Sequence, residues 1–126
     1  MADRFPQRVF KITTVDAWSA AIVHGAFTGS PDDRRDGFIH LSANHQIAAT
    51  AAKYFAGIED LCLIAFDVSS LGEHLVWEAS RGGELFPHYY AALPTVSALW
   101  IRPIFLDEDG TPLLGELDAD STPVAS

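Results

Sequence analysis

Apolar and polar positions alternate in short stretches along this chain, broken by a few longer stripes with helical spacing. Val9-Phe10-Lys11-Ile12-Thr13 reads as a strand with Phe10 and Ile12 on one face and Lys11 on the other. Thr14 is placed to cap a helix from about Val15 to His24, with Gly25 as its stop and Trp18, Ala21 and Ile22 as its apolar stripe. A polar excursion, 27–35, follows. It holds room for one helical turn capped by Ser30 with Pro31 at the first helical position. Phe38-Ile39-His40-Leu41-Ser42 then reads as a buried strand, with Phe38, His40 and Ser42 sharing one face. Ser42 is the expected cap of a second helix, roughly Ala43 to Phe55, closed by Gly57. Ile47, Ala51, Tyr54 and Phe55 should face its core side, and Gln46, Thr50 and Lys53 the water.

Leu61 to Phe66 is an unbroken apolar run of strand length, which predicts a central strand buried on both faces. Asp67 caps a short turn through Leu71, and Leu75-Val76-Trp77-Glu78 is the next strand. The Gly82-Gly83 loop and Phe86-Pro87 lead on to a strand from Ala98 to Phe105, ending near Pro103, and a turn at Asp107 to Gly110. Two main helices in the N-terminal half and strands mostly late predict a compact single α+β domain, spanning 9–115, with 1–8 and 116–126 as flexible tails.

At 126 residues, 48% of them hydrophobic, the chain is long enough to bury a core without staples. The net charge of −9 argues against a nucleic-acid surface and against docking on anionic membranes. Cys62 is the single cysteine, so neither a disulfide framework nor a cysteine zinc site is available. The start lacks a signal-peptide core and no run is long enough to span a bilayer, which predicts a cytoplasmic protein.

The candidate chemistry lies in two stretches, 36–42 and 77–90. His40 could act as a general acid or base, or sit in the core donating to a carbonyl. Lys11, Arg81 and Arg102 fall in or beside strands, where a cation needs an anionic partner. They either serve a ligand phosphate or carboxylate, or pair with Glu78, Glu84 or Asp67. Gly82 and Gly83 permit backbone that turns Arg81, Glu84 and their amides toward one point. Ser42 is too far along the strand from His40 to be its nucleophile and reads as structural or ligand-orienting. A zinc site from His40, His88 and Glu84 lacks a paired-histidine motif, so no metal is expected. Trp77, Tyr89 and Tyr90 either stack on a ligand ring or fill the core.

Phe10-Lys11-Ile12, Gly37-Phe38-Ile39-His40-Leu41-Ser42, Trp77-Glu78 and Ser80-Arg81-Gly82-Gly83-Glu84-Leu85-Phe86-Pro87-His88-Tyr89 together resemble the bacterial domain-of-unknown-function family 952. The resemblance runs from about Val9 to Phe105. Through it the chain is remotely similar to the ADP-ribosyltransferase-like superfamily, which implies a split β-sheet with a cleft for NAD or ADP-ribose. In that superfamily the first strand carries a His or Arg, where this chain has Lys11. His40 and Ser42 stand in the middle element, and neither Glu78 nor Glu84 falls in a Glu-x-Glu or Gln-x-Glu pair.

These readings converge on a pocket for a small anionic, nucleotide-like molecule. His40, Glu84 and His88 are its expected catalytic groups. Lys11, Ser42, Trp77, Glu78, Arg81, Gly82, Gly83 and Tyr89 are its expected ligand-binding groups, in a monomer or weak homodimer. The alternative is a non-catalytic binding or interaction module, in which the same residues form a structural hydrogen-bond network.

Overall fold

The computed structural model describes residues 6–117 and, at Arg81, the backbone alone. Most of the two expected tails therefore lies outside the described residues. Within them, Arg8 opens the first strand and its Nη1 donates to the Leu117 carbonyl.

In chain order the elements are β1 (Arg8–Thr14), α1 (Val15–His24), β2 (Ala26–Phe27), α2 (Pro31–Asp36), β3 (Ile39–His40) and β4 (Ser42–Ala43). They continue through α3 (Ile47–Tyr54), β5 (Leu61–Asp67), α4 (Val68–Leu71), β6 (Leu75–Ala79) and β7 (Leu85–Tyr89), and end with β8 (Leu93–Pro94), β9 (Ala98–Leu106) and β10 (Pro112–Leu113). Helix α1 has the expected bounds because its ends are chemically marked. The Thr14 side chain accepts from the Ala17 N–H, and Gly25 takes the left-handed conformation that ends the helix. Its stripe is narrower than expected: Trp18 and Ala21 are buried, but Ile22 is more than half exposed. No helix among the described residues is long and apolar enough to cross a membrane.

The main sheet is antiparallel, ordered β10-β9-β5-β1-β4. Strand β5 lies between β9 and β1, which explains its unbroken apolar run. Cys62, Ile64 and Phe66 pack with Trp18 and Ala21 of α1 on one face. Leu61, Leu63 and Ala65 pack with Ile47 and Ala51 of α3 and with Trp100 on the other. A second sheet, β3-β7-β6, and the small pair β2-β8 complete the mixed helix-and-strand domain.

The stretch expected to be one strand at 38–42 is two. β3 pairs with β7, matching Ile39 to Tyr89 and His40 to His88, whereas β4 pairs with β1, matching Ala43 to Val9 and Ser42 to Phe10. Leu41 is the joint, and Pro87 supplies the physical reason for it. The Leu41 N–H donates to the Pro87 carbonyl, but proline has no N–H to return the bond. The ladder ends there and the chain crosses to the other sheet, as strands do at corners between sheets. Strand β7 itself was not anticipated, because Phe86-Pro87 has the composition of a loop.

The same crossover displaces the second helix. Ser42 is not its cap: α3 begins at Ile47, and the Ser42 hydroxyl lies 3.2 Å from that of Thr50. Gln46, expected to face water, is buried and takes over the local hydrogen bonding. Its Oε1 accepts from the Ala43 N–H, and its Nε2 donates to the Leu85 carbonyl and to Glu84. Tyr54, expected inside, is exposed.

Ile64 is fully buried at the centre of β5. Ile64→Ala should lower unfolding stability by about 2–5 kcal/mol in urea titrations, from lost apolar burial and the cavity left behind.

Candidate functional site

The divergence of β3 from β4 opens the pocket. β4 covers only Val9 and Phe10 of β1, so beyond Phe10 that edge of β1 has no strand beside it. The gap is an open pocket of about 290 Å³. Phe10, Lys11 and Ile12 line one side and His40, Leu41 and Ser42 the other. Ile47 and Phe55 add apolar surface, His88 and Phe86 come from β7, and Asp33, Asp32, Arg35 and Asp36 come from α2.

At the pocket wall Asp33 is 2% exposed and Lys11 6%. Helix α2 delivers Asp33 through a capping box. The Ser30 side chain accepts from the Asp33 N–H, and the Asp33 carboxylate accepts from the Ser30 N–H. The same carboxylate accepts from Lys11 Nζ at 2.9 and 3.1 Å, from the His40 N–H at 3.0 Å, and from His40 Nδ1 at 2.6 Å. Burial opposes its ionisation, but the His40 hydrogen bond, the Lys11 charge and the remaining donors outweigh burial. They hold the carboxyl well below the usual carboxylate range. For Lys11 burial is the larger effect and lowers its pKa from the ordinary lysine value, although Asp33 counters it. An ionised carboxylate only accepts, so Nδ1 of His40 carries a proton. Nε2 of His40 lies 2.9 Å from Asp36 Oδ2.

A second imidazole–carboxylate pair faces the first. His88 Nδ1 lies 2.7 Å from Glu78 Oε1, and the Tyr90 hydroxyl donates to the same oxygen at 2.6 Å. The Tyr90 and then the His88 hydrogen bonds lower the Glu78 pKa, and Glu78 in turn raises that of Tyr90. Phe38 stacks on His88 with ring centroids 4.0 Å apart and also touches His40 and Tyr90. The His40 and His88 rings meet edge to face at 5.8 Å, because their residues are directly opposite in the β3–β7 ladder.

Comparison with known proteins bears on this geometry. Residues 12–101 match the family described as Protein of unknown function (DUF952). The chain belongs to the DUF952 family. Its fold is similar to the crystal structure of protein CC0527 from Caulobacter crescentus, a structural genomics target. The TM-score is 0.83 at 47% identity, over 86% of this chain and 95% of that one. A double mutant of CC0527 gives the same TM-score at 46% identity and the same coverage. The solution structure of CC0527 gives 0.78 at 47% identity, over 86% and 93% of the two chains. A search of curated proteins gives no match.

In this DUF952 protein the expected site residues divide into three groups. Lys11, His40, Ser42 and His88 line the pocket, and Glu78 orients His88. Lys11 meets Asp33 rather than Glu78, Glu84 or Asp67. Trp77 and Tyr89 belong to the core under α1 and do not line the pocket; Tyr89 meets His74 edge-on. Glu84 stands apart from His40 and His88: its carboxylate is held by His45 at 3.0 Å and Gln46 at 3.1 Å. Gly82 and Gly83 both adopt positive φ, 69° and 81°, in a tight 3-10 turn between β6 and β7. The side chain of Arg81 lies outside the described residues. Arg102, the third strand-borne cation, stacks over Trp100 at 3.9 Å and donates to the Leu114 carbonyl.

Asp33 and Asp36 are the functional groups that sequence reasoning missed. The signal for Asp33 was the Ser30-x-x-Asp33 spacing, since a capping box needs an acceptor at its fourth position.

Asp33→Ala strands the buried Lys11 ammonium and should cost about 3–5 kcal/mol of stability by chemical denaturation. The acid limb carries a sign as well. With its pKa depressed on folding, Asp33 contributes fully above the ordinary carboxylate range near pH 4, and that contribution fades as pH falls toward the folded value. Asp33→Asn should therefore flatten the fall of stability between about pH 4 and pH 2, measured by urea unfolding at each pH.

Proposed function

We propose that the pocket is an acid–base active site for a small anionic, nucleotide-like molecule, with His40 and His88 as the proton-transferring groups. One observation carries this reading: two imidazoles on facing residues are each oriented through Nδ1 by a carboxylate. A carboxylate on Nδ1 fixes the ring and points Nε2 at the substrate, directly in His88 and in His40 once Asp36 leaves its Nε2. Both residues line one pocket, so a substrate held there can lose a proton to one ring and receive one from the other. The pocket volume, about 290 Å³, sits at the small end of the roughly 300–1,000 Å³ typical of ligand sites. That favours a sugar phosphate or mononucleotide. The ADP-ribosyltransferase-like assignment, with NAD or ADP-ribose as ligand, rests on the sequence resemblance and is kept as the next member of the substrate panel.

A second reading has its own support. Asp33 is saturated by Lys11, His40 and Ser30, so that half of the site also serves as a structural network. The two readings separate experimentally. Thermal-shift screening with nucleotides, ADP-ribose, NAD and sugar phosphates should find a stabilising ligand, followed by turnover assays on the hits. His88→Gln should then lower turnover about 10²–10⁴-fold with the protein still folded. If no compound stabilises the protein, and His40→Gln and His88→Gln change only its melting temperature, the structural network stands and the enzyme does not.

A further inference from the structure

Asp36 occupies a position that its own helix does not explain. It is the last residue of α2, where the helix dipole favours cations and disfavours a carboxylate. What it meets there is an imidazole nitrogen and a guanidinium. Its Oδ2 lies 2.9 Å from His40 Nε2, and its Oδ1 accepts from Arg35 Nε at 3.0 Å. Hydrogen bonding from Arg35, with lesser help from its charge and from His40, lowers the Asp36 pKa, so the group facing Nε2 is an anion.

From this geometry we infer that Asp36 is an internal stand-in for the anionic group of the ligand. The subsite it fills, between His40 Nε2 and the Arg35 guanidinium at the pocket rim, takes a carboxylate or phosphate oxygen once Asp36 swings out. This deepens the acid–base reading and rests on it for the role of Nε2. Three features make the exchange inexpensive. Asp36 is already a third exposed, so it returns to water with little change in solvation. Its Arg35 partner is 67% exposed, and surface ion pairs of that kind hold weakly. Gly37, next in the chain, adopts φ of 88° with open space where a side chain would sit, so the backbone beside Asp36 is unobstructed. Lys11 cannot serve this purpose, because Asp33 already holds it in the interior.

An internal competitor that fills the subsite most of the time lowers apparent affinity by the fraction of time the subsite is vacant. The test titrates inorganic phosphate, and separately acetate, into the full chain while following the histidine ring resonances by NMR. In Asp36→Ala the affinity for at least one of these anions should rise about tenfold, with saturable shifts at the His40 ring. Adding Arg35→Gln should reverse the gain. Phosphate alone gaining would assign a phosphate subsite, and acetate alone a carboxylate subsite. Asp32→Ala is the control for general electrostatics, because Asp32 also pairs with Arg35 and lines the pocket but does not touch His40. An equal gain in Asp32→Ala, or no gain at His40 in Asp36→Ala, overturns the proposal. Should Asp36→Ala fold poorly, Asp36→Asn gives the same readout with the shape kept. The assay reads binding alone and is repeated in His88→Gln. Anion binding retained in His88→Gln, with the turnover of the screening hits equally unchanged in that variant, would defeat the catalytic reading and leave the subsite standing. Turnover without anion binding at His40 would do the reverse.

Discussion

A buried carboxylate sets the terms for the rest of this structure. Removing Asp33 from water costs several kcal/mol unless its charge is met on every side. Here it is met by an ammonium from β1, by an imidazole and an amide from β3, and by the amide of its own helix cap. Three segments of the first forty residues are thereby fixed to one point. The demand runs both ways, since Lys11 sits inside the sheet with no other carboxylate among its hydrogen-bond partners. The position and tautomer of His40 follow from this requirement.

Against that background the two imidazole pairs differ in kind. His40 is held by an interior carboxylate that the fold needs for its own sake. His88 is held by Glu78, which is partly exposed and shared with Tyr90. The first pair is anchored by a buried carboxylate; the second depends on a hairpin and on the stacked ring of Phe38. A site built this way joins a fixed imidazole to a more adjustable one.

Much of the fold was legible from residues whose physical role is local. Thr14 and Gly25 marked α1, the Leu61–Phe66 run marked the doubly covered strand, and Ser30 with Pro31 marked the start of α2. The failures came where a distant partner decided the outcome. Pro87 reads as a loop residue, yet it lies inside β7 and its missing N–H splits the 38–42 stretch between two sheets. Gln46 and Tyr54 exchanged their expected environments because the crossover delayed and turned α3. At the site, His40 and Lys11 were identifiable as ionisable groups in strand contexts, and His88 as an imidazole in the 77–90 stretch. Asp33 was not, because in sequence it sits in a run of charged residues that looks solvated. Tyr89 was drawn in by proximity along the chain, which the pleat of β7 does not preserve in space, and Glu84, in the turn before β7, is held by His45 and Gln46 instead.

The crossover at Leu41 also bears on how the site can come apart. Each imidazole–carboxylate pair is local, seven residues apart for Asp33 and His40 and ten for Glu78 and His88. Each can close with a small loop-entropy cost. What joins the two is the β3–β7 ladder of two residue pairs, extended by the single bond from Leu41 to Pro87. That seam is far shorter than the seven-pair contact of β1 with β5. A seam of so few pairs can open locally at a free energy below that of global unfolding. Breathing at this seam separates the two rings while β5 stays paired on both sides, so an intact main sheet need not mean an assembled site.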